Sequence, residues 1–238
     1  MAPKEYSFII RHSDGTQQIV PVEFRRTAIS KSIRITPNLA RQVVSVSYPL
    51  YSSRTRAILF LEAKRDWVIR QLEAMPKKQK IAEGSTINLF GERVRVVHIP
   101  EARRGVWVED GRLYVSGSRE FLNRRAKDHI KALARRRFTA MAAGYARRLG
   151  REIVRVSVKD TTSRWGSCTS DGALSFSWRL ALAPMPIAEY VVAHEVVHLK
   201  EMNHGTRFWR ALAEIYPYDV DAAVRWLARN GAKLYLID

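Results

Sequence analysis

The sequence predicts an α+β fold, with a β-rich N-terminal region followed by a mainly helical region that holds a small sheet beside a central helix. Short runs that alternate apolar and polar residues, separated by turn signals, fill most of residues 1–117. Helical periodicity dominates residues 118–238, where two further alternating runs predict the small sheet. We therefore expect two domains, 1–117 and 118–238.

Turn residues between apolar runs place the elements of the N-terminal region. Ser13-Asp14-Gly15-Thr16 predicts the first hairpin turn, and Phe90-Gly91 and Asp110-Gly111 predict two more. Helical spacing of apolar residues appears once in this region, and Pro76 with the lysines after it ends that helix. The predicted elements are strands at 6–10, 19–24, 32–35 and 43–48, a helix over 54–75, and hairpins over 86–99 and 106–115.

The C-terminal region begins with a long helix and continues with two strands and three more helices. The central helix opens at Pro184-Met185-Pro186, because proline suits a first helical turn. We expect Asn203-His204-Gly205 to break that helix, with Gly205 permitting the turn. The other predicted elements are a helix over 119–149, strands at 153–159 and 174–180 joined by a polar loop over 160–172, and helices near 206–215 and 220–229.

The chain is strongly basic. Its 238 residues include 41 Lys and Arg against 23 Asp and Glu, a formal net charge of +18. Such a surface attracts polyanions, so nucleic acid is one expected partner and an acidic protein another. One stripe on the 119–149 helix predicts weak, sequence-independent binding of DNA or RNA, unless it is an ordinary solvated face. The stripe consists of Arg124, Lys127, Lys131 and Arg135.

Cysteine content and hydropathy indicate the cellular compartment of the protein. Cys168 is the only cysteine, so no intrachain disulfide can form, which fits a reducing compartment. The N-terminal residues Met1 to Tyr6 lack an apolar leader, and no apolar run is long enough to span a bilayer. We expect a cytoplasmic location and no membrane association.

The run His194-Glu195-Val196-Val197-His198, followed by His204, carries most of the predicted chemistry. Residues four apart share one face of a helix, so His194 and His198 can bind one metal ion. An H-E-x-x-H run is typical of zinc peptidases, and three protein ligands leave a fourth position for water. We therefore expect Zn²⁺ on His194, His198 and His204.

The third ligand has a rival. Glu201 lies one turn beyond His198 on roughly the same helix face, although an ion pair or a contact behind the ligands suits it better. His204 alone could also be a histidine favoured by the helix dipole. Glu195, beside the first ligand, is placed to take a proton from a zinc-activated water and pass it to the leaving amine.

A second group of unusual residues, Arg164-Trp165-Gly166-Ser167-Cys168, lies in the predicted polar loop. Arg164 is expected either to bind a substrate carbonyl, carboxylate or oxyanion, or to form a structural salt bridge. Trp165 is expected to pack, and Cys168 to be a small buried thiol. The candidate catalytic residues are therefore Glu195 and Arg164.

Seven short stretches of the C-terminal region carry a resemblance to a known family: residues 164–168, 176–180, 182–184, 190–195, 198–199, 203–204 and 208–209. Together they resemble the YgjP-like metallopeptidase family, which is related to the SprT-like proteases. The resemblance implies a zincin-like core, zinc on His194, His198 and His204, and a catalytic Glu195. The histidine spacing also matches the metzincins, but Glu201 stands where that group has glycine, which excludes membership there.

Two hypotheses about function follow. The first is a zinc metallopeptidase of the HExxH type that acts on proteins or peptides. The second is a basic nucleic-acid-binding module whose zinc is structural. The number of protein ligands separates them, because a closed four-ligand site favours a structural ion, and Cys168 is the spare thiol that could close it. The sequence predicts no oligomeric state.

Overall fold

Three small sheets and six α-helices make up the part of the chain that the structure describes, residues 6–11 and 15–238. The structure is a computed structural model. It has the predicted α+β class. It divides into two compact units, Met1–Lys77 and Lys78–Asp238.

The first unit contains a four-stranded sheet and two helices around one core. The strand order is β1-β2-β4-β3, in which β2 and β4 are parallel and the other pairs are antiparallel. The predicted pairing of the first two strands is confirmed, although part of the predicted turn, Ser13-Asp14, and the N-terminal Met1 to Glu5 lie outside the described residues. The elements are β1 Ser7–Arg11, β2 Gln17–Thr27, β3 Arg34–Asn38, β4 Val43–Pro49, α1 Arg54–Ala63 and α2 Arg65–Glu73.

The single helix predicted over 54–75 is broken at Lys64. This residue has φ −109° and ψ 12°, outside the helical region, and separates α1 from α2. The break lets both short helices bury apolar residues in the core of the unit, Leu61 from α1 and Val68 from α2.

The second unit begins with a four-stranded sheet of two hairpins. Both predicted turns are confirmed: Phe90-Gly91 and Asp110-Gly111 have positive φ at both positions, as a two-residue turn between twisted strands requires. The strand order is β5-β6-β8-β7. The strands are β5 Thr86–Leu89, β6 Glu92–His98, β7 Val106–Glu109 and β8 Arg112–Val115.

These hairpins share a core with the helices that follow them. Val94 and Leu113 belong to the same buried cluster as Ile130 and Phe138 of α3 (Leu122–Arg148). The compact units therefore divide near residue 77, whereas the sequence predicted a domain boundary at 117. The alternating strand pattern identified the hairpins but carried no information about which helix covers them.

A three-stranded sheet follows α3. Its strands are β9 Arg155–Lys159, β10 Gly166–Cys168 and β11 Ala173–Ser177, in the order β10-β11-β9. The sequence predicted a loop over 160–172, so β10 is an unpredicted edge strand. The predicted strand over 174–180 ends early, because Trp178–Leu182 form a buried 3₁₀ helix.

Three helices complete the second unit: α4 Met185–Val197, α5 Thr206–Ile215 and α6 Val220–Asn230. The predicted proline start of α4 is confirmed. α4 is buried on most sides, with nine buried residues, eight of which belong to the hydrophobic core. Within the described residues, no helix combines the length and the apolar character that crossing a membrane requires.

Candidate active site

Three imidazoles meet where α4 ends. One ring nitrogen from each of His194, His198 and His204 lies within 4.8 Å of the others, and the Nε2 atoms of His194 and His204 are 3.0 Å apart. Across the described ranges 6–11 and 15–238, these are the side chains found close enough together to hold a metal ion. The predicted ligand set therefore occupies one place.

The three imidazole rings come together because of where α4 ends. His194 lies in the last turn and His198 caps the helix, so their rings lie four residues apart on one face. The helix ends at Val197, six residues before the predicted break at Asn203, and His204 approaches from the connecting segment. Gly205 has φ −82° and ψ −174°, extended backbone that any residue adopts, so the glycine freedom predicted there is not used.

Packing and hydrogen bonds hold the three rings. The Nδ1–H of His198 donates to the Glu201 carbonyl oxygen at 3.1 Å, which leaves Nε2 of His198 as a lone-pair donor to an ion. The ring of Phe208 on α5 lies 4.6 to 4.9 Å from all three imidazoles. The indole Nε1–H of Trp209 donates to the His204 carbonyl at 3.1 Å and fixes the segment that carries it.

The rings fit a metal ion chemically as well as geometrically. Burial, followed by the neighbouring histidines, lowers the pKa of His194 to about 4, and burial also lowers the pKa of His198. Both imidazoles are therefore neutral at pH 7, the form that binds metals. The Nδ1 of His194 is buried and has no hydrogen-bond partner among the described residues.

Glu195 is buried against the edge strand β10. A Cβ atom at Gly166 would lie only 2.6 Å from Cγ of Glu195 and 2.7 Å from its Oε1, so only glycine lets the carboxylate occupy this position. Burial raises the pKa of Glu195 to about 7, while the Arg164 charge and a hydrogen bond from the Cys168 backbone amide oppose that rise.

Arg164 is exposed and lines a small cavity. The cavity has a volume of about 180 Å³ and is shared with Gly166 and Ser175, so it borders the strand against which Glu195 packs. Among the residues that the structure describes, no carboxylate lies within ion-pair distance of the Arg164 guanidinium, so the predicted structural salt bridge is absent. The charge of Arg164 is therefore available at the cavity.

Glu201 and Cys168, which the sequence placed near the site, are not members of the histidine cluster. The Glu201 side chain is not in the cluster and contributes its backbone carbonyl to His198 instead. Cys168 is half-buried and also outside the cluster, and burial, then Glu195 and Asp171, raise its pKa to about 11. It is therefore a neutral thiol at pH 7.

Arg179 is a buried residue whose role the sequence analysis missed. Its Nε donates to Asp160 at 3.0 Å, and its Nη1 donates to the carbonyls of Leu234 at 3.1 Å and Ile237 at 2.5 Å. Its guanidinium lies between the rings of Trp178 and Tyr235, 4.8 and 5.0 Å from their centroids.

Residues 231–237 thereby anchor the loop that carries Arg164. The Tyr235 hydroxyl donates to the Thr161 carbonyl at 3.0 Å, and the Thr161 hydroxyl donates to the Arg164 carbonyl at 2.8 Å. Trp165 packs on Tyr235, as predicted for it, and a Cβ at Gly231 would come within 2.9 Å of its ring. In the sequence, the signal for this anchor is Trp178 and Arg179, which end a run in which apolar residues alternate with serines.

Comparisons with known proteins bear on the family of the chain. No curated protein matches the chain. A solved structure, the metallopeptidase zymogen abylysin from Pyrococcus abyssi, is similar with 16% identity over 39% of this chain and 93% of its own, but its TM-score of 0.35 is too low to carry an argument. The model of the YgjP-like metallopeptidase domain matches residues 31–230. Because that match covers most of the 238 residues, the chain belongs to the YgjP-like metallopeptidase family.

Proposed function

We propose that this metallopeptidase uses zinc, held by His194, His198 and His204 in a zincin-like core, and that Glu195 is its general base. The observation that supports this proposal is the position of Glu195. Its carboxylate is buried against Gly166 of β10, and Glu195 directly follows the first histidine of the cluster on α4. The substrates are then proteins or peptides.

The chemistry divides between the ion and the chain. When bound, zinc supplies a positive charge that polarises a peptide carbonyl and makes water more acidic. Glu195 accepts the proton of the attacking water and delivers it to the nitrogen of the leaving amine. Arg164, exposed at the cavity, binds a carbonyl oxygen or a carboxylate of the substrate and orients the peptide.

Ligand count favours catalysis over the alternative, a nucleic-acid-binding module with a structural zinc. A structural site needs a fourth protein ligand. In the described residues the cluster contains three histidines, one of them exposed, and the Cys168 thiol is not among them. An ion held by these three histidines would keep a fourth position for water or substrate.

The predictions of nucleic-acid binding and of a cytoplasmic location stay predictions. On the basic stripe of α3, Arg124 and Arg135 are exposed, whereas Lys127 and Lys131 are half-buried and Lys131 lies 5.9 Å from the centroid of the Trp178 ring. We propose that this stripe gives at most a weak, salt-sensitive contact with nucleic acid. A cytoplasmic location is likewise proposed.

Glu195→Gln tests the proposed function. The variant should retain one zinc per chain and an unchanged melting temperature, while cleavage of a denatured protein substrate falls to background, because only the proton acceptor is lost. Glu201→Gln is the matched control, since only the backbone of Glu201 contacts the site, and it should cleave like wild type. Normal cleavage by Glu195→Gln would refute the general-base assignment.

A further inference from the structure

Two adjoining depressions on the first unit form a groove that the peptidase function does not use. One has a volume of about 480 Å³ and the other about 400 Å³, and both are lined by Ile33 and Phe60. The rings at the groove belong to Tyr51, Phe60 and Trp67. We call it the aromatic groove.

The rings of the groove point away from the core of their unit. Leu61 and Val68, which follow Phe60 and Trp67 directly in sequence, are fully buried and already supply the apolar contacts of α1 and α2. Phe60 and Trp67 are 37% and 39% exposed, and Tyr51 is 78% exposed. Large aromatic rings exposed together mark an interaction surface more often than a packing requirement.

Positive charge surrounds these rings. No carboxylate lines either depression, and within the described ranges none of the groove's cations forms an ion pair. The charged side chains that line the groove are therefore all positive. The cations are Lys31, Arg34, Arg56, Lys64 and Arg70.

We propose that the aromatic groove binds single-stranded nucleic acid. Exposed rings stack on unpaired bases without regard to sequence, while the surrounding lysines and arginines contact the phosphates. An acidic peptide would use the cations but leave the rings without matching flat partners. A duplex would offer phosphates but no accessible base faces. This proposal is independent of the metal site and of the proposed peptidase chemistry.

The test measures binding of the full-length protein to fluorescent 20-nucleotide strands of deoxythymidine and of uridine, a matched duplex and polyglutamate. We expect single strands to bind more tightly than duplex or polyglutamate, with affinity that falls as salt rises. Trp67→Ala should weaken single-strand binding about tenfold through lost stacking, whereas Trp67→Phe, which keeps a ring, should retain most of it. Leu59→Ala is the control, because Leu59 is exposed on α1 next to Phe60 but does not line the groove.

Other variants separate the groove from the rest of the molecule. Arg34→Ala with Lys64→Ala removes two exposed charges without touching the core, so it should weaken binding even if Trp67→Ala destabilises the unit. Lys127→Glu with Arg135→Glu alters the stripe on α3, and Glu195→Gln alters the proposed active site. Both should leave single-strand binding within about twofold of wild type if the groove supplies the contact.

Several results would overturn the proposal. They are no binding of either single strand at low salt, equal binding of strand and duplex, tighter binding of polyglutamate, or loss of binding in the α3 variant with normal binding by Trp67→Ala and by Arg34→Ala/Lys64→Ala. None of these outcomes would bear on cleavage by the metal site.

Discussion

The two sides of the candidate active site are assembled in different ways. The three histidines come from one short stretch, in which a helix end and the segment after it bring the ring nitrogens together. The other part combines Glu195 with a glycine on β10, a loop that carries Arg164, and residues 231–237 that hold this loop.

Because of this difference, substitutions in the two parts should have different effects on metal content and on activity. On the proposed roles, a change among the histidines would remove a ligand and with it the ion. A change in the other part would move or remove a group proposed to act on substrate, while the ion stays in place. The predictions below use metal content and activity together to tell these apart, from the largest expected effect to the smallest.

Replacement of His194 or His198 by alanine should have the largest effect. Each variant should lose most of the one zinc per chain that we expect of wild type, because two imidazoles alone bind zinc weakly, and activity should fall to background. Elemental analysis of dialysed protein measures the ion. His129→Ala, which changes a histidine of α3 outside the cluster, should keep wild-type zinc. Full zinc content in both His194→Ala and His198→Ala would contradict the ligand assignment.

Gly166→Ala should come next. The new methyl group would lie 2.6 Å from Cγ of Glu195 and displace its carboxylate, so activity should fall about 100-fold with zinc content unchanged. Steady-state cleavage kinetics and elemental analysis measure both quantities. Gly144→Ala is the control, because nothing lies within 4 Å of its added methyl group, and it should keep wild-type activity. An active Gly166→Ala would mean that Glu195 does not need its present position.

Arg164→Ala should reduce activity by about tenfold, as loss of one charged substrate contact does, without change in zinc content or melting temperature. Arg164→Lys keeps the positive charge but loses the planar guanidinium with its paired N–H donors. Its activity should therefore lie between those of wild type and Arg164→Ala. Calorimetry together with cleavage kinetics measures the effect. A lower melting temperature with normal turnover would show instead that Arg164 is structural.

Tyr235→Phe should have the smallest effect. It removes the hydrogen bond to the Thr161 carbonyl but keeps the ring between Trp165 and Arg179, so the free energy of unfolding should fall by only about 1 kcal/mol. Activity should fall a few-fold with zinc unchanged, because the loop that carries Arg164 is held less firmly. Denaturant titration measures the stability. Unchanged activity would show that this bond does not position the loop.

The difference between features built from one stretch and features built from distant segments also explains what the sequence could predict. The common face of His194 and His198 follows from helical spacing, and the hairpins at Phe90-Gly91 and Asp110-Gly111 follow from turn chemistry. These features depend on residues close in sequence, so a local pattern determines them.

Features that depend on distant contacts were missed. β10 is three residues long within a polar stretch, and its pairing with β11 is what makes it a strand. The close contact of Gly166 with Glu195 and the anchoring of Arg179 on residues 234 and 237 join segments far apart in the chain. The break at Lys64 and the division near residue 77 likewise reflect which surfaces share a core, which periodicity does not encode.

The anchor formed by residues 231–237 has a consequence for truncation. A chain that stops before Gly231 keeps every residue of the histidine cluster but lacks the partners of Arg179 and Thr161. On the proposed roles, such a product would keep its metal ligands while the loop that carries Arg164 is held less firmly, so bound metal alone would not report an active peptidase.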